Sequence, residues 1–154
     1  MDSDRPISIV YIEDDLEMID LVSLVLSRRG FQLKGAHGGR EGLELINQEL
    51  PDLILLDLMM PDVDGWDVYH QVKANVSTQN IPVIVITAKA QPIDRVLGLQ
   101  IAKVEDYISK PFRPQELIDS IEVVLGIKTS KDLKEIYWIQ IQLFCKPETA
   151  KKSL

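Results

Sequence analysis

A chain of 154 residues, 45% hydrophobic and 27% charged, has room for one folded domain and a short appendage, and is too apolar to be disordered over most of its length. Its net charge of -7, with no block of Lys or Arg, argues against non-specific binding to nucleic-acid phosphates. One cysteine, Cys145, rules out an intramolecular disulfide, and no apolar stretch has the length of a membrane span or secretory leader, so a cytoplasmic protein is expected.

In chain order, Ile7 to Ile12 is apolar and β-branched, which predicts a first strand ending abruptly at Glu13-Asp14-Asp15. From Leu16 to Arg29 the residues Leu16, Ile19, Val22 and Leu26, with Leu21, Leu24 and Val25 beside them, recur at helical spacing until Gly30. Phe31 to Ala36 reads as a second strand and His37-Gly38-Gly39 as a turn. A second helix follows from Arg40 to Gln48, closed by Pro51.

Asp52 to Asp57 is a continuous apolar run bounded by carboxylates, as expected of a strand buried on both faces of a parallel sheet. After the Pro- and Gly-punctuated loop to Gly65, a helix is predicted from Trp66 to about Asn75, with Trp66, Val68, Tyr69 and Val72 inward. Ile81 to Thr87 is a fourth strand, its Pro82 near the start where a missing donor is tolerated. Pro92 to Ile101 reads as a helix with Ile93, Val96, Leu97 and Leu99 as its apolar positions, and Asp106 to Lys110 as a last strand stopped by Pro111. Pro114 to Leu125 forms a fifth helix with Leu117, Ile118, Ile121, Val124 and Leu125 inward, ended by Gly126.

Beyond Ile127, Leu133, Ile136, Tyr137, Ile141 and Phe144 lie at helical spacing, although Tyr137 to Leu143 also alternates like a strand; a sixth helix is favoured, with Pro147 to Leu154 as a frayed end. Its apolar side would need a cover from the domain or from another chain. The expected division is therefore a domain over 1–126 and an extension over 127–154.

Five strands alternating with five helices predict an α/β fold, a doubly wound parallel sheet with helices on both faces. Strand order 2-1-3-4-5 puts the topological switch point between strands one and three. Glu13, Asp14 and Asp57 are expected there, with Thr87 and Lys110 at the ends of the fourth and fifth strands. Three carboxylates so placed repel one another unless a cation neutralises them. Magnesium, which accepts one or two carboxylates and keeps room for a phosphate oxygen, suits that demand. Asp57 is then an oxygen nucleophile toward a phosphoryl group, with the metal and Lys110 neutralising its oxygens and Thr87 donating a hydrogen bond. Taken singly each residue has an ordinary explanation: a helix N-terminus, a turn acid, a surface lysine, a β-former. Their joint placement at successive strand ends is what points to chemistry. Trp66 reads as packing, and His37 and His70 lack metal-ligand companions.

Over about residues 5 to 126 the sequence resembles the receiver domain of two-component response regulators. The matching motifs are Ile12-Glu13-Asp14-Asp15, Leu56-Asp57-Leu58-Met59-Met60-Pro61 with Asp64-Gly65, Ile86-Thr87-Ala88, and Asp106-Tyr107-Ile108-Ser109-Lys110-Pro111-Phe112. The resemblance implies Asp57 as phospho-acceptor, Asp14 as direct metal ligand, Glu13 as second acid and the backbone carbonyl of Met59 as a further ligand. It implies Lys110 as the phosphoryl-binding lysine, Thr87 as the switch hydroxyl, and Tyr107 as the aromatic that changes rotamer with it. The phosphodonor would be a histidine kinase or histidine phosphotransfer protein, and the output a homodimer or a separate effector bound through the fourth helix, fifth strand and fifth helix. Such a domain is not an enzyme beyond self-phosphorylation and self-dephosphorylation. Lys103-Val104 stands where a Gly-Ala pair is common, and Met59 and Lys89 occupy positions that modulate phosphoryl lifetime in the family. A haloacid-dehalogenase-type phosphohydrolase needs an Asp where Met59 stands. A flavodoxin-like carrier would find its phosphate repelled by Glu13-Asp14-Asp15, and no Gly-rich NTPase loop is present.

Overall fold

The computed structural model describes residues 5–89, 91–127 and 130–144. Its elements are β1 (Ser8–Ile12), α1 (Leu16–Ser27), β2 (Gln32–Ala36), α2 (Gly39–Glu49), β3 (Leu53–Leu56), α3 (Gly65–Ala74), β4 (Val83–Thr87), α4 (Pro92–Val96), β5 (Asp106–Ser109), α5 (Pro114–Val124) and α6 (Ser130–Phe144). The strands form one parallel sheet in the order β2-β1-β3-β4-β5, as the alternation of elements predicts. Cys145 and the tail 147–154 lie outside the described residues, and no helix among those described is long and apolar enough to cross a membrane.

The sheet separates two apolar layers because successive side chains of a strand point to opposite faces. Val10, Ile12, Ile54, Leu56, Val83 and Val85 face one side, where α2 and α3 supply Ile46, Val68, Tyr69 and Val72. Ile9, Tyr11, Leu53, Leu55, Ile84 and Ile86 face the other, against Val22 and Leu26 of α1 and Leu117, Ile118 and Ile121 of α5. β1, β3 and β4 are thus buried on both faces, which is why they read as unbroken apolar runs.

Three regions depart from the sequence expectation. In α1 only Val22 and Leu26 are fully buried, while Leu16, Leu21 and Leu24 are exposed. The fourth helix is α-helical only to Val96 and continues as a π-helical turn over Leu97–Ile101. Of its apolar positions Ile93, Val96, Leu97 and Leu99, the first three are exposed; the inward positions are Gly98 and, in part, Leu99. Lys103 then takes a left-handed φ of 60°, a conformation that favours glycine, so the turn out of this helix is made here by a lysine. In α5, Leu117 to Glu122 are all buried, including the polar Asp119, Ser120 and Glu122. A helix resting on a sheet by one face alone would expose several of these. The three polar ones have partners: Ser120 donates to Asp106, Asp119 accepts from Gln115 and Glu122 pairs with Arg29 just beyond α1, while Gln140 of α6 lines a depression with Arg113, Gln115 and Glu116.

Candidate functional site

The β1–β3 register pairs Ile12 with Leu56, so the next residues, Glu13 and Asp57, leave the sheet side by side at the switch point. Their backbones stay in the ladder: the Asp57 N–H donates to the Ile12 carbonyl at 3.0 Å and the Glu13 N–H to that of Ala36 at 3.1 Å. Carboxylate oxygens of Glu13, Asp14 and Asp57 lie within 4.8 Å of one another, the first and last buried and Asp14 half-buried at the rim. Asp15 is the N-cap of α1, accepting from the N–H groups of Glu17 and Met18. The acidic run therefore divides into one buried acid, one rim acid and one cap.

Lys110 reaches this cluster from beyond β5. Its N–H donates to the Thr87 carbonyl at 2.9 Å, and its Nζ donates to Glu13 Oε2 at 2.5 Å and to Asp57 Oδ2 at 3.0 Å. With 17% of its side chain exposed, Lys110 forms a shielded, charge-assisted bridge rather than a surface pair. Burial works to lower its pKa, but the bonds to Glu13 and Asp57 outweigh that and raise it, so the ammonium persists. Glu13 is pushed up to about 7, by burial first and then by the neighbouring Asp57 charge, against the opposing bonds from Lys110 and Tyr11. Lys110 offsets two of the three clustered carboxylates, and the set of Glu13, Asp14 and Asp57 oxygens suits a hard divalent cation.

The other Asp57 oxygen, Oδ1, accepts the Met59 N–H at 3.0 Å. Gly65, the first residue of α3, is needed behind this loop: a Cβ there would stand 2.4 Å from Leu58 Cα and 2.7 Å from the Asp57 carbonyl oxygen. Only a glycine lets the helix approach that closely. Asp64 caps α3 through the Trp66 N–H at 2.8 Å, and Trp66 packs edge-on against Tyr69.

Thr87 and Tyr107 complete the sheet edge and are both fully buried. The Thr87 hydroxyl accepts the Lys89 N–H at 3.3 Å, and the Tyr107 hydroxyl donates to the Lys89 carbonyl. Both side chains thus grip the loop after β4. Arg95 Nη1 donates to the Tyr107 carbonyl at 2.6 Å, tying α4 to β5.

Two participants escaped the sequence reading. Tyr11, within the first apolar run, donates its hydroxyl to Glu13 Oε2 at 2.9 Å. The signal was available, since a tyrosine two residues before an acid lies on the same strand face. Asp62 lies outside α3 and accepts from the N–H groups of Gly39 and Arg40 at 3.2 and 3.3 Å, supplying α2 with the cap that Gly38 lacks. Burial works against it, but those backbone donors hold its carboxyl below the ordinary value. No local pattern announces that contact.

The geometry agrees with the comparisons to known proteins. The family model for the response regulator receiver domain matches residues 9–122. This chain is a member of that family. The receiver is 34% identical over 117 residues to the regulatory protein VanRc of Enterococcus gallinarum, covering 76% of this chain and 49% of that protein. It is 35% identical over 118 residues to the transcriptional regulatory protein GltR of Pseudomonas aeruginosa, covering 77% and 48%. The receiver therefore spans about half the length of these relatives. Among solved structures it is similar to the receiver domain of the Francisella response regulator 1452, with a TM-score of 0.72, 28% identity, and 79% and 98% of the two chains covered.

Proposed function

We propose that this receiver is a phosphorylation-dependent switch in which Asp57 accepts a phosphoryl group from a histidine kinase or histidine phosphotransfer protein. The observation that carries the reading is the buried Asp57 carboxylate, grouped with Glu13 and Asp14 and bridged by Lys110 Nζ at 3.0 Å. An Asp57 oxygen attacks phosphorus, the P–N bond of the donor phosphohistidine breaks with its electron pair passing to the imidazole, and an acyl phosphate remains on Asp57. Magnesium, held by Asp14, Asp57 and the Met59 carbonyl with Glu13 as second acid, would supply charge neutralisation for the phosphoryl oxygens. Lys110, already between the two buried acids, keeps one positive charge beside Asp57 throughout.

The modification turns one carboxylate charge into roughly -1.5 to -2 with new acceptor oxygens. Thr87 stands at the adjoining strand end, and its hydroxyl would turn from Lys89 toward them. Tyr107 shares the Lys89 loop and would follow, altering the surface of α4, β5 and α5 presented to a second copy or to a separate effector. The acceptor unit is assigned to residues 1–126, with 127–154 as an appended arm. We assign it to the cytoplasm as a regulatory acceptor rather than a turnover enzyme.

Native mass spectrometry with magnesium and acetyl phosphate, repeated with a phosphorylated histidine phosphotransfer protein, tests this. One phosphoryl adduct on the parent chain and none on Asp57→Asn is expected. Adduct formation on Asp57→Asn would move the acceptor elsewhere, and no adduct from either donor would overturn the switch.

A further inference from the structure

We propose that Tyr11 is a positioning residue of the acceptor site: its buried hydroxyl fixes the Glu13 carboxylate and, through it, the Lys110 ammonium beside Asp57. This rests on the reading of Asp57 given above.

Tyr11 is 0% exposed and packs among Ile9, Val22, Leu26, Leu55 and Ile86. Nothing in that layer requires a polar atom, and a phenylalanine would fill the same space. A hydroxyl carried into such a layer must be satisfied there, and its acceptor is Glu13 Oε2 at 2.9 Å. Burial and the Glu13 charge push the phenol pKa up, so it remains a donor.

Glu13 is held at three points. Its Oε2 accepts from Tyr11 and from Lys110, and its Oε1 accepts the Asp15 N–H at 3.2 Å. A glutamate has one more rotatable bond than an aspartate, and this side chain would otherwise swing between Lys110 and the rim. The tyrosine removes that freedom from below.

The consequence reaches Asp57 because Lys110 Nζ divides its donors between Glu13 Oε2 and Asp57 Oδ2. An Oε2 that already accepts from Tyr11 is a weaker competitor for the ammonium. Without the phenol, Glu13 accepts at that oxygen from Lys110 alone and draws it away from Asp57, where the phosphoryl group would arrive. Tyr11 thus makes a long acid at position 13 compatible with a lysine that must also serve Asp57.

The test is a double-mutant cycle on the full chain: Tyr11→Phe, Glu13→Gln and the pair, each assayed for its phosphorylation rate with acetyl phosphate at saturating magnesium and for its melting temperature. Tyr11→Phe is expected to slow phosphorylation by roughly three- to tenfold in the parent and to have no further effect in the Glu13→Gln background. Equal slowing in both backgrounds, or none in either, overturns the inference. A merely structural hydroxyl would lower the melting temperature without this coupling in rate.

The Cε resonance of Lys110 in metal-free protein supplies a readout that needs no phosphorylation. It is expected to shift in Tyr11→Phe. A shift in a protein that takes no phosphoryl group would leave the positioning role standing while Asp57 chemistry fails. A phosphorylated parent whose Lys110 resonance and rate ignore Tyr11→Phe would do the reverse.

Discussion

The corner after β3 and the segment after β4 flank the same sheet edge but are built in opposite ways. After β3, α3 has ten residues, a side-chain cap from Asp64 and four buried positions, and Gly65 brings its first turn against the Asp57–Leu58 backbone. Asp62 joins that loop to α2. After β4, α4 has five α-helical residues with no side-chain cap before its π-helical turn, and exposes Ile93 at 58% and Ile101 at 72%. What holds it are a few side-chain ties: Arg95 to the Tyr107 carbonyl, Tyr107 to the Lys89 carbonyl, and Lys89 to Asp94 at 3.6 Å. Asp57 stands on the over-determined side, where its geometry is fixed. The neighbouring side has few anchors, which is what the proposed switch through Thr87 requires.

The largest effect is expected at the rigid corner. Asp57→Asn removes one of the two buried carboxylates that share Lys110, and should abolish phosphorylation while raising stability by about 1–2 kcal/mol in thermal melts. A destabilised variant would mean that Asp57 contributes more through Lys110 than it costs through Glu13.

Next in size is a pH effect on metal binding. The Glu13 pKa of about 7 lies above its ordinary 4.5, so its proton favours the fold. That contribution is complete below about pH 4.5 and is lost as pH rises through 7. Magnesium bound at this cluster would have to displace the same proton. Its affinity by titration calorimetry should therefore strengthen by up to about tenfold per pH unit below pH 7 and level off above it, with proton uptake by the buffer. A flat profile from pH 5 to 8 would place Glu13 outside the metal's influence.

On the looser side, a Cβ at Gly98 would stand 2.6 Å from Tyr107 Cδ2. Gly98→Ala should displace that ring and cost about 1–2 kcal/mol, although alanine is the better helix former. A stabilised variant with Tyr107 unmoved would show that α4 can shift to accommodate it. The smallest effect needs no mutation: amide exchange in α4 should outpace that in α3, and equal protection would erase the contrast between the two sides.

Much of this architecture was legible because it follows from short-range rules. Strands buried on both faces must be continuous apolar runs, parallel strands need crossover helices, and strand order then places Glu13, Asp14 and Asp57 at one crevice. The receiver motifs lay in that frame at the expected strand ends, and Lys110 arrives there. The fourth helix was the weak point. Its apolar residues obey helical spacing, yet periodicity registers only that a face is apolar and does not say whether anything covers it. The buried polar residues of α5 were hidden for the converse reason, since Asp119, Ser120 and Glu122 look like a solvated face until their partners are known.

The sequence by itself determined the strand order, the switch point and the residue types gathered there, because hydrophobic pattern and chain connectivity act along the chain. Only the tertiary structure decided that Tyr11 holds Glu13, that Asp62 caps a helix 23 residues away, that Lys103 adopts a left-handed turn and that α4 leaves its apolar side exposed. Those outcomes depend on which groups meet across the fold and which are desolvated there, and no local spacing encodes either.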